Sequence, residues 1–446
     1  MIDLIKNVWN GNKQIIRNVN WLLMDRVLQL TIGLLVGVFV TRYLGPTEYG
    51  RLVYATTFVG MFSCLYNFGE GSLLVKWFVT ERENENEIIG TDFVLKVFGA
   101  IFSAIVVVFV ASVFESDAQM RDIIMIISVA NLFKAADIFD YWFQARMQSK
   151  YVVIAKSISL IIMSGVKVLL VVNHCSVWYF AWCIGGDYLI TACVYFYFYY
   201  KRGGRVANWH YSKSIAKRLC VAIPPLALSG LMVTLYMQID KIMLGRMLDS
   251  ETVGIYAIGI KFSEILFCIP IIVSTVLLPK FMALKKNNRN LYRKYFQFLF
   301  TGSSLFSYFL IIIVNLVASK LISGLYGSQY TEAADILVLH IYVFVFVFSG
   351  IARTMWVIGE DLLNYSAICI TTGSVANILL NLWLIPHYGG SGAAYATIIA
   401  QAVATYLMGI FISEFREVFF MQTKGLLLYD IWKFIWKKKF VFSEVD

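Results

Sequence analysis

Residues 20–50 read NWLLMDRVLQLTIGLLVGVFVTRYLGPTEYG. From Asn20 to Tyr43 the run is apolar and longer than the ~20 residues that cross a bilayer core. A signal h-region is shorter and would not carry Asp25 and Arg26, so the run reads as a membrane span. Asp25, Gln29, Gly33, Gly37 and Thr41 recur every four residues, which puts them on one polar and small-residue face of a helix. Gly45-Pro46 then turns the chain, and a second apolar run follows.

The rest of the chain repeats this grammar. Of 446 residues, 59% are hydrophobic and 15% charged, against about 45–50% and about 25% in soluble domains. That apolar content fills about a dozen spans and leaves no room for a sizeable soluble domain. A soluble enzyme, a nucleic-acid-binding module and a secreted domain are thereby excluded. We place spans near 19–43, 49–76, 88–114, 119–143, 151–172, 176–200, 219–244, 252–278, 295–318, 332–358, 362–386 and 390–414. The expected class is an all-α polytopic membrane protein of twelve transmembrane helices. Pro46 should open helix 2, Pro224-Pro225 should open helix 7, Pro386 should close helix 11, and Pro270 should kink helix 8. Tyr195–Tyr200 has the composition of an interfacial aromatic belt.

Net charge is +10, and its distribution matters more than its size. About 26 of the 38 Lys and Arg fall in alternate segments, richest in 201–218 and 280–294, as the positive-inside rule requires. This predicts a multi-pass membrane protein with both termini cytoplasmic and an even number of spans. One segment dissents: Gly359–Tyr365 should be cytoplasmic, yet it carries Glu360 and Asp361 and no basic residue. The tail stretch Ile431–Phe440 (IWKFIWKKKF) mixes Trp and Phe with Lys and suits the cytoplasmic interface and its anionic lipids.

Seven scattered cysteines form no C-x-x-C, and four histidines form no ligand cluster, so no metal or other cofactor is expected. The chain has no G-x4-G-K-[ST] phosphate loop, no H-E-x-x-H and no G-x-S-x-G.

An internal repeat links the halves. Arg42-Tyr-Leu-Gly-Pro-Thr-Glu-Tyr-Gly50 and Arg246-Met-Leu-Asp-Ser-Glu-Thr-Val-Gly254 both read R-x-L-x5-G at the same end of a span. This predicts two pseudo-symmetric six-helix bundles around a central cavity. We expect an N-terminal lobe at 1–200, a basic cytoplasmic linker at 201–218, a C-terminal lobe at 219–414 and a basic, aromatic tail at 415–446.

RYLGPTEYG (42–50), DKIMLG (240–245), VGIY (253–256) with Lys261, LYGSQYTEAADIL (325–337), and Asn377-x3-Asn381-x4-Pro386 running into YGGSGAAYAT (388–397) stand in family order across nearly the whole chain. In these blocks the chain resembles the Wzx-type oligosaccharide flippases of the multidrug/oligosaccharidyl-lipid/polysaccharide exporter superfamily. The resemblance implies two bundles forming a V. It also implies translocation of polyprenyl-pyrophosphate-linked repeat units across the bacterial plasma (inner) membrane for surface polysaccharide, O-antigen or capsule. Membrane lipids, a polysaccharide polymerase and chain-length machinery would be the partners, and nucleic acid would not. Twelve spans rather than fourteen set the chain apart from lipid II flippases, and the acidic Glu360–Asp361 loop departs from the family pattern.

Pyrophosphate needs basic partners, and ionisable residues inside spans are functional candidates by default. Arg26, Lys241, Lys261 and Arg353 are therefore substrate candidates, with Arg26 and Arg353 best suited to bidentate contacts. Asp25, Asp137, Asp240 and Glu264 are candidates for ion coupling or for pairing these cations, with Asp140 beside Asp137. Lys261 and Glu264 share a helix face, as do Asp92 and Lys96, so both couples read equally well as internal ion pairs. Asn131, Lys134, Asp137, Tyr141 and Gln144 mark one polar face, and Asn377 and Asn381 suit hydrogen bonds between helices. Two alternatives remain at this point. A cation or drug antiporter of the same superfamily would want a more acidic cavity. A membrane glycan polymerase would want a long outward loop, and none is expected here.

Overall fold

The computed structural model describes residues 2–81, 84–430, 432 and 433, and side chains from 21 onward except 22, 23 and 229. Among the described residues every regular element is helical. The chain divides into two compact units, Met1–Thr234 and Leu235–Asp446.

The first unit runs α1 (Ile2–Met61), α2 (Gly71–Thr80), α3 (Glu85–Phe114), α4 (Ala118–Ala130), α5 (Ile138–Ala145), α6 (Ser149–Val172) and α7 (Val177–Lys201). It ends inside α8 (Lys213–Met247). The second unit continues through α9 (Ser250–Leu266), α10 (Cys268–Asn287), α11 (Arg289–Tyr326), α12 (Thr331–His340) and α13 (Phe344–Gly359). It closes with α14 (Leu363–Ala402), α15 (Met408–Phe411) and α16 (Arg416–Leu426).

Nine helices among the described residues are long and apolar enough to cross a membrane, where the sequence reading placed twelve. The difference has physical causes. α1 carries two expected spans as one, hinged where Gly45 takes φ 71°, a conformation open mainly to glycine. α14 and the turn after it carry two more, hinged at Gly389 with φ 57°. The fourth expected span is broken by a 3-10 turn at Asn131–Asp137 into pieces too short to count. Both copies of the R-x-L-x5-G repeat straddle a break: Gly45-Pro46 in the first, and Asp249 capping α9 through the Thr252 amide at 2.8 Å in the second.

The prolines behave less simply than their positions suggest. Pro46 follows the hinge as expected. Pro224 and Pro225 do not open a helix; they lie inside α8, which starts at Lys213. Pro386 lies inside α14, and the break comes at Gly389. Pro270 lacks the N–H that would reach back to Leu266, and the helix is interrupted at Phe267, between α9 and α10.

Each unit has its own core. In the first, Trp142, Phe139, Phe143, Tyr195 and Tyr199 are packed together with Trp77 of α2. The expected aromatic belt at Tyr195–Tyr200 is therefore only half a belt. Tyr195 and Tyr199, four apart, face inward, while Tyr197 and Tyr200 stay exposed. Residues 201–218 are packed onto this unit too: Trp209 donates to the Tyr199 hydroxyl at 2.9 Å, and the Ser212 amide to Thr91 at 2.9 Å. In the second unit Phe281, Tyr292, Phe296 and Trp356 form one core together with Phe415 and Val418 of the expected tail. Gln422 of α16 donates to Ser349 at 2.9 Å and to the Thr405 carbonyl at 3.2 Å. The first part of the tail is thus structural. The interfacial stretch Ile431–Phe440, apart from Trp432 and Lys433, lies outside the described residues.

The outward surface is apolar, as a lipid-facing protein requires. Phe98, Ile105 and Phe109 of α3 are each more than 60% exposed.

The acidic loop that broke the charge alternation is also explained. Glu360 is paired with Lys285 at 3.4 Å and Arg289 at 3.3 Å, both from the basic 280–294 segment. These ion pairs place the two loops at the same end of the second unit.

Candidate functional site

The second unit encloses a cavity of about 310 Å³, within the size range of ligand sites. It is lined by Asp240 of α8, Tyr256 and Glu264 of α9, His340 of α12, Arg353 of α13 and Thr397 of α14, among others. Three of the expected site residues, Asp240, Glu264 and Arg353, therefore meet there.

Their states differ. Asp240 is fully satisfied: its carboxylate accepts from Asn381 Nδ2 at 2.6 Å, Thr397 Oγ1 at 2.7 Å and Tyr256 OH at 2.9 Å. Asn381 Nδ2 also reaches Asn377 Oδ1 at 3.1 Å within α14, so Asn381 bonds between helices, to Asp240, and Asn377 supports it from the same helix. Buried polar groups demand this kind of completeness. Lys241, on the next position of α8, bonds Gln238 at 2.9 Å and pairs with Glu264 at 3.4 Å. Glu264 thus serves Lys241, and the expected Lys261–Glu264 pair does not form; Lys261 is half-buried. Ser263 of α9 and Nδ1 of His340 lie 2.7 Å apart.

Arg353 is different. It is 5% exposed and makes no ion pair among the described residues. Its guanidinium lies 5.1 Å from the centre of the Phe415 ring, its Nη1 is 4.0 Å from Cys369 Sγ, and its Nε has no hydrogen-bond partner. Ser349, one turn before it, is occupied by Gln422. A buried guanidinium with unused donors costs free energy unless an anion meets it.

In the first unit, Asp25 is buried and accepts from Gln29 at 3.0 Å, while Arg26 is exposed. Asp137 lines a second cavity, taken up below. Asp140 binds Lys156 at 2.8 Å and Gln144 at 2.7 Å. The expected Asp92–Lys96 couple is formed at 3.6 Å, but Lys96 sits closer to Glu70, at 2.9 Å. All three are essentially buried, so two carboxylates share one ammonium. At the rim of this unit Arg218 grips Glu81 with two hydrogen bonds, of 2.9 and 2.7 Å, and these hold the Glu81 carboxyl below its usual range.

Glu70, Lys156, Tyr256, His340 and Thr397 escaped the sequence reading. Glu70 and Lys156 belonged with the ionisable residues near or inside spans, and that signal was available. Tyr256 and Thr397 stand at the ends of the VGIY (253–256) and YGGSGAAYAT (388–397) blocks, but nothing in their spacing pointed to Asp240.

The comparisons with known proteins agree with this architecture. Residues 39–335, more than half of the chain, match the family described as polysaccharide biosynthesis protein. The capsular polysaccharide biosynthesis protein CapF of Staphylococcus aureus is 23% identical over 411 residues, covering 87% of this chain and 97% of that protein. Among solved structures, an inward-facing multidrug resistance MATE family transporter of the MOP superfamily aligns with a TM-score of 0.68 at 13% identity, covering 87% of this chain and 94% of that one. The lipid II flippase MurJ, in an inward closed conformation, aligns with a TM-score of 0.67 at 14% identity, covering 93% and 92%. At these identities the structural likeness speaks for the fold. The chain is a multi-pass membrane protein with a MOP-type transporter fold, and it belongs to the polysaccharide biosynthesis protein family.

Proposed function

We propose that the chain is a flippase. It carries polyprenyl-pyrophosphate-linked oligosaccharide repeat units from the inner to the outer leaflet of the bacterial plasma membrane, for O-antigen or capsule assembly, by alternating access. Both termini lie in the cytoplasm in this reading, and the polymerase and chain-length machinery receive the product. The observation that carries the proposal is Arg353: a buried arginine lining a cavity, with no carboxylate paired to it among the described residues. A cation antiporter would place an unpaired acid there. Here both acids of the cavity are engaged, Asp240 by three donors and Glu264 by Lys241. The vacant charge is positive, so the cargo it suits is an anion such as pyrophosphate.

Arg26 and Lys261 are assigned to the entering headgroup, and Lys241 to holding Glu264. Asp240 is assigned to ion coupling, by a proton or a sodium ion. The membrane potential adds to the drive: an anion moving outward gains ~2.3 kcal/mol per charge per 100 mV. The test is Arg353→Gln in cells. The expected result is loss of surface glycan and accumulation of lipid-linked units on the inner leaflet, at normal protein level. Normal surface glycan from that variant defeats the proposal.

A further inference from the structure

The first unit holds a larger cavity, about 410 Å³, that the reading above does not use. Its walls include Gln29 of α1, Lys134 and Asp137 of the 3-10 turn, Lys156 of α6, and Asp187 and Tyr188 of α7. We propose that this cavity is the sugar subsite, and that it takes an uncharged pyranose ring of the lipid-linked glycan. This rests on the flippase reading and deepens it, by naming the part of the lipid-linked glycan that the first unit takes.

Local backbone geometry makes the cavity polar. Residues three apart eclipse in a 3-10 turn, so Lys134 and Asp137 project on the same side of the Asn131–Asp137 turn. Irregular backbone at membrane depth is tolerated where it lines a cavity. The two side chains nevertheless do not pair with each other. Lys134 Nζ lies 4.3 Å from the centre of the Tyr188 ring and 5.9 Å from that of Tyr66. Asp137 has neither a hydrogen bond nor an ion pair among the described residues. Asp137 therefore keeps unused capacity, about four lone pairs on a carboxylate, while the Lys134 ammonium is directed at Tyr188 and Tyr66. Asp187 accepts from Ser159, and Lys156 is tied to Asp140 at 2.8 Å.

The charges on the wall balance, Lys134 and Lys156 against Asp137 and Asp187. A balanced wall suits neither a free anion nor a free cation. The volume also exceeds what a lone ion needs, since one water occupies about 30 Å³. What fits is a ring with an apolar face and a rim of hydroxyls that both donate and accept. The aromatic walls Phe133 and Tyr188 suit the face, and the mixed charged groups suit the rim. Sites of this kind discriminate strongly, because the wrong ring leaves their polar groups unpaired.

The experiment uses the full chain in lipid nanodiscs free of glycoside detergent. Saturation-transfer NMR is recorded with a methyl hexoside and a methyl N-acetylhexosaminide as probes, and with methyl phosphate and tetramethylammonium as charged controls. We expect transfer to the ring protons of a glycoside. Asp137→Asn and Thr191→Val, the latter at a wall residue on α7, should each weaken its apparent affinity, Asp137→Asn by about tenfold for one charge-assisted hydrogen bond. Asp137 holds no ion pair, so that variant should fold, and a thermal melt checks this. Absence of glycoside transfer, equal affinity in both folded variants, or response to a charged control alone overturns the proposal. Export by the wild type is measured in parallel. Export without glycoside binding removes the subsite and leaves the flippase reading. Glycoside binding with the expected variant pattern but no export leaves the subsite and removes the flippase.

Discussion

The guanidinium of Arg353 lies 5.1 Å from the centre of the Phe415 ring, and it has no ion-pair partner among the described residues. Phe415 arrives from just before α16, in a segment whose sequence reads as a tail. A cation seated against an aromatic face keeps some stabilisation, about 0.5–2 kcal/mol, without using up its hydrogen-bond donors. The arginine is therefore held in place and left available.

This arrangement predicts opposite effects on activity and stability. Arg353→Met should leave the melting temperature of the purified protein unchanged or raised, since a buried unpaired charge is removed, while export is lost. Arg353→Lys should retain part of the export, because the charge survives and the bidentate fork does not. A marked drop in melting temperature for Arg353→Met would mean that the residue is structural.

The Glu70–Lys96–Asp92 cluster predicts an asymmetric response. Lys96→Met strands two buried carboxylates and should cost about 3–5 kcal/mol, seen as a large fall in folded yield and melting temperature. Glu70→Gln leaves one carboxylate for one ammonium and should cost clearly less. Equal losses in the two variants would contradict the two-to-one charge count.

Asp240 predicts a separation of binding from drive. Asp240→Ala orphans donors on Tyr256, Thr397 and Asn381 and should destabilise the unit by about 1–3 kcal/mol for each group left unsatisfied. Asp240→Asn keeps the shape and removes the charge. In proteoliposomes with an imposed sodium or proton gradient, the wild type should respond to one of the two, and Asp240→Asn to neither. A wild type indifferent to both gradients removes Asp240 from coupling.

The Arg218–Glu81 grip predicts a small acid sensitivity. The folded-state carboxyl sits below its ordinary value of 4.5 because Arg218 bonds its charged form. The pair's contribution is therefore complete above the unfolded value and disappears as pH falls through the depressed one. Both groups are partly exposed, so the contribution is under about 1 kcal/mol. The melting-temperature difference between wild type and Glu81→Gln should be small near neutrality and shrink on acidification below the ordinary carboxyl value of 4.5. A difference that does not shrink on acidification would contradict this.

Local spacing and composition carried much of this account in the sequence. The Asp92–Lys96 pair and the breaks at both repeat copies followed from spacing, and the apolar spans from composition. What could not be read was what distant segments bring. Glu70 reaches Lys96 from a separate segment, Glu360 is neutralised by a loop about 70 positions away, and Thr397 completes Asp240 from another helix. Hinge geometry was also hidden. Gly389, not Pro386, sets the break in α14: the residue with φ 57° is the glycine, while the proline is accommodated within the helix, as membrane helices tolerate. The 3-10 turn at Asn131–Asp137 has no proline or glycine to announce it, although the shared face of Lys134 and Asp137 was legible from their spacing.

The most direct test of the flippase reading is leaflet transfer in proteoliposomes. The purified chain is reconstituted with a fluorescent polyprenyl-pyrophosphate disaccharide, and its exposure to an impermeant quencher is followed in time. The account predicts transfer faster than in protein-free liposomes and at least tenfold slower with Arg353→Gln, the loss expected for charge-assisted hydrogen bonds. Transfer at the protein-free rate, or an Arg353→Gln rate equal to wild type, would contradict it.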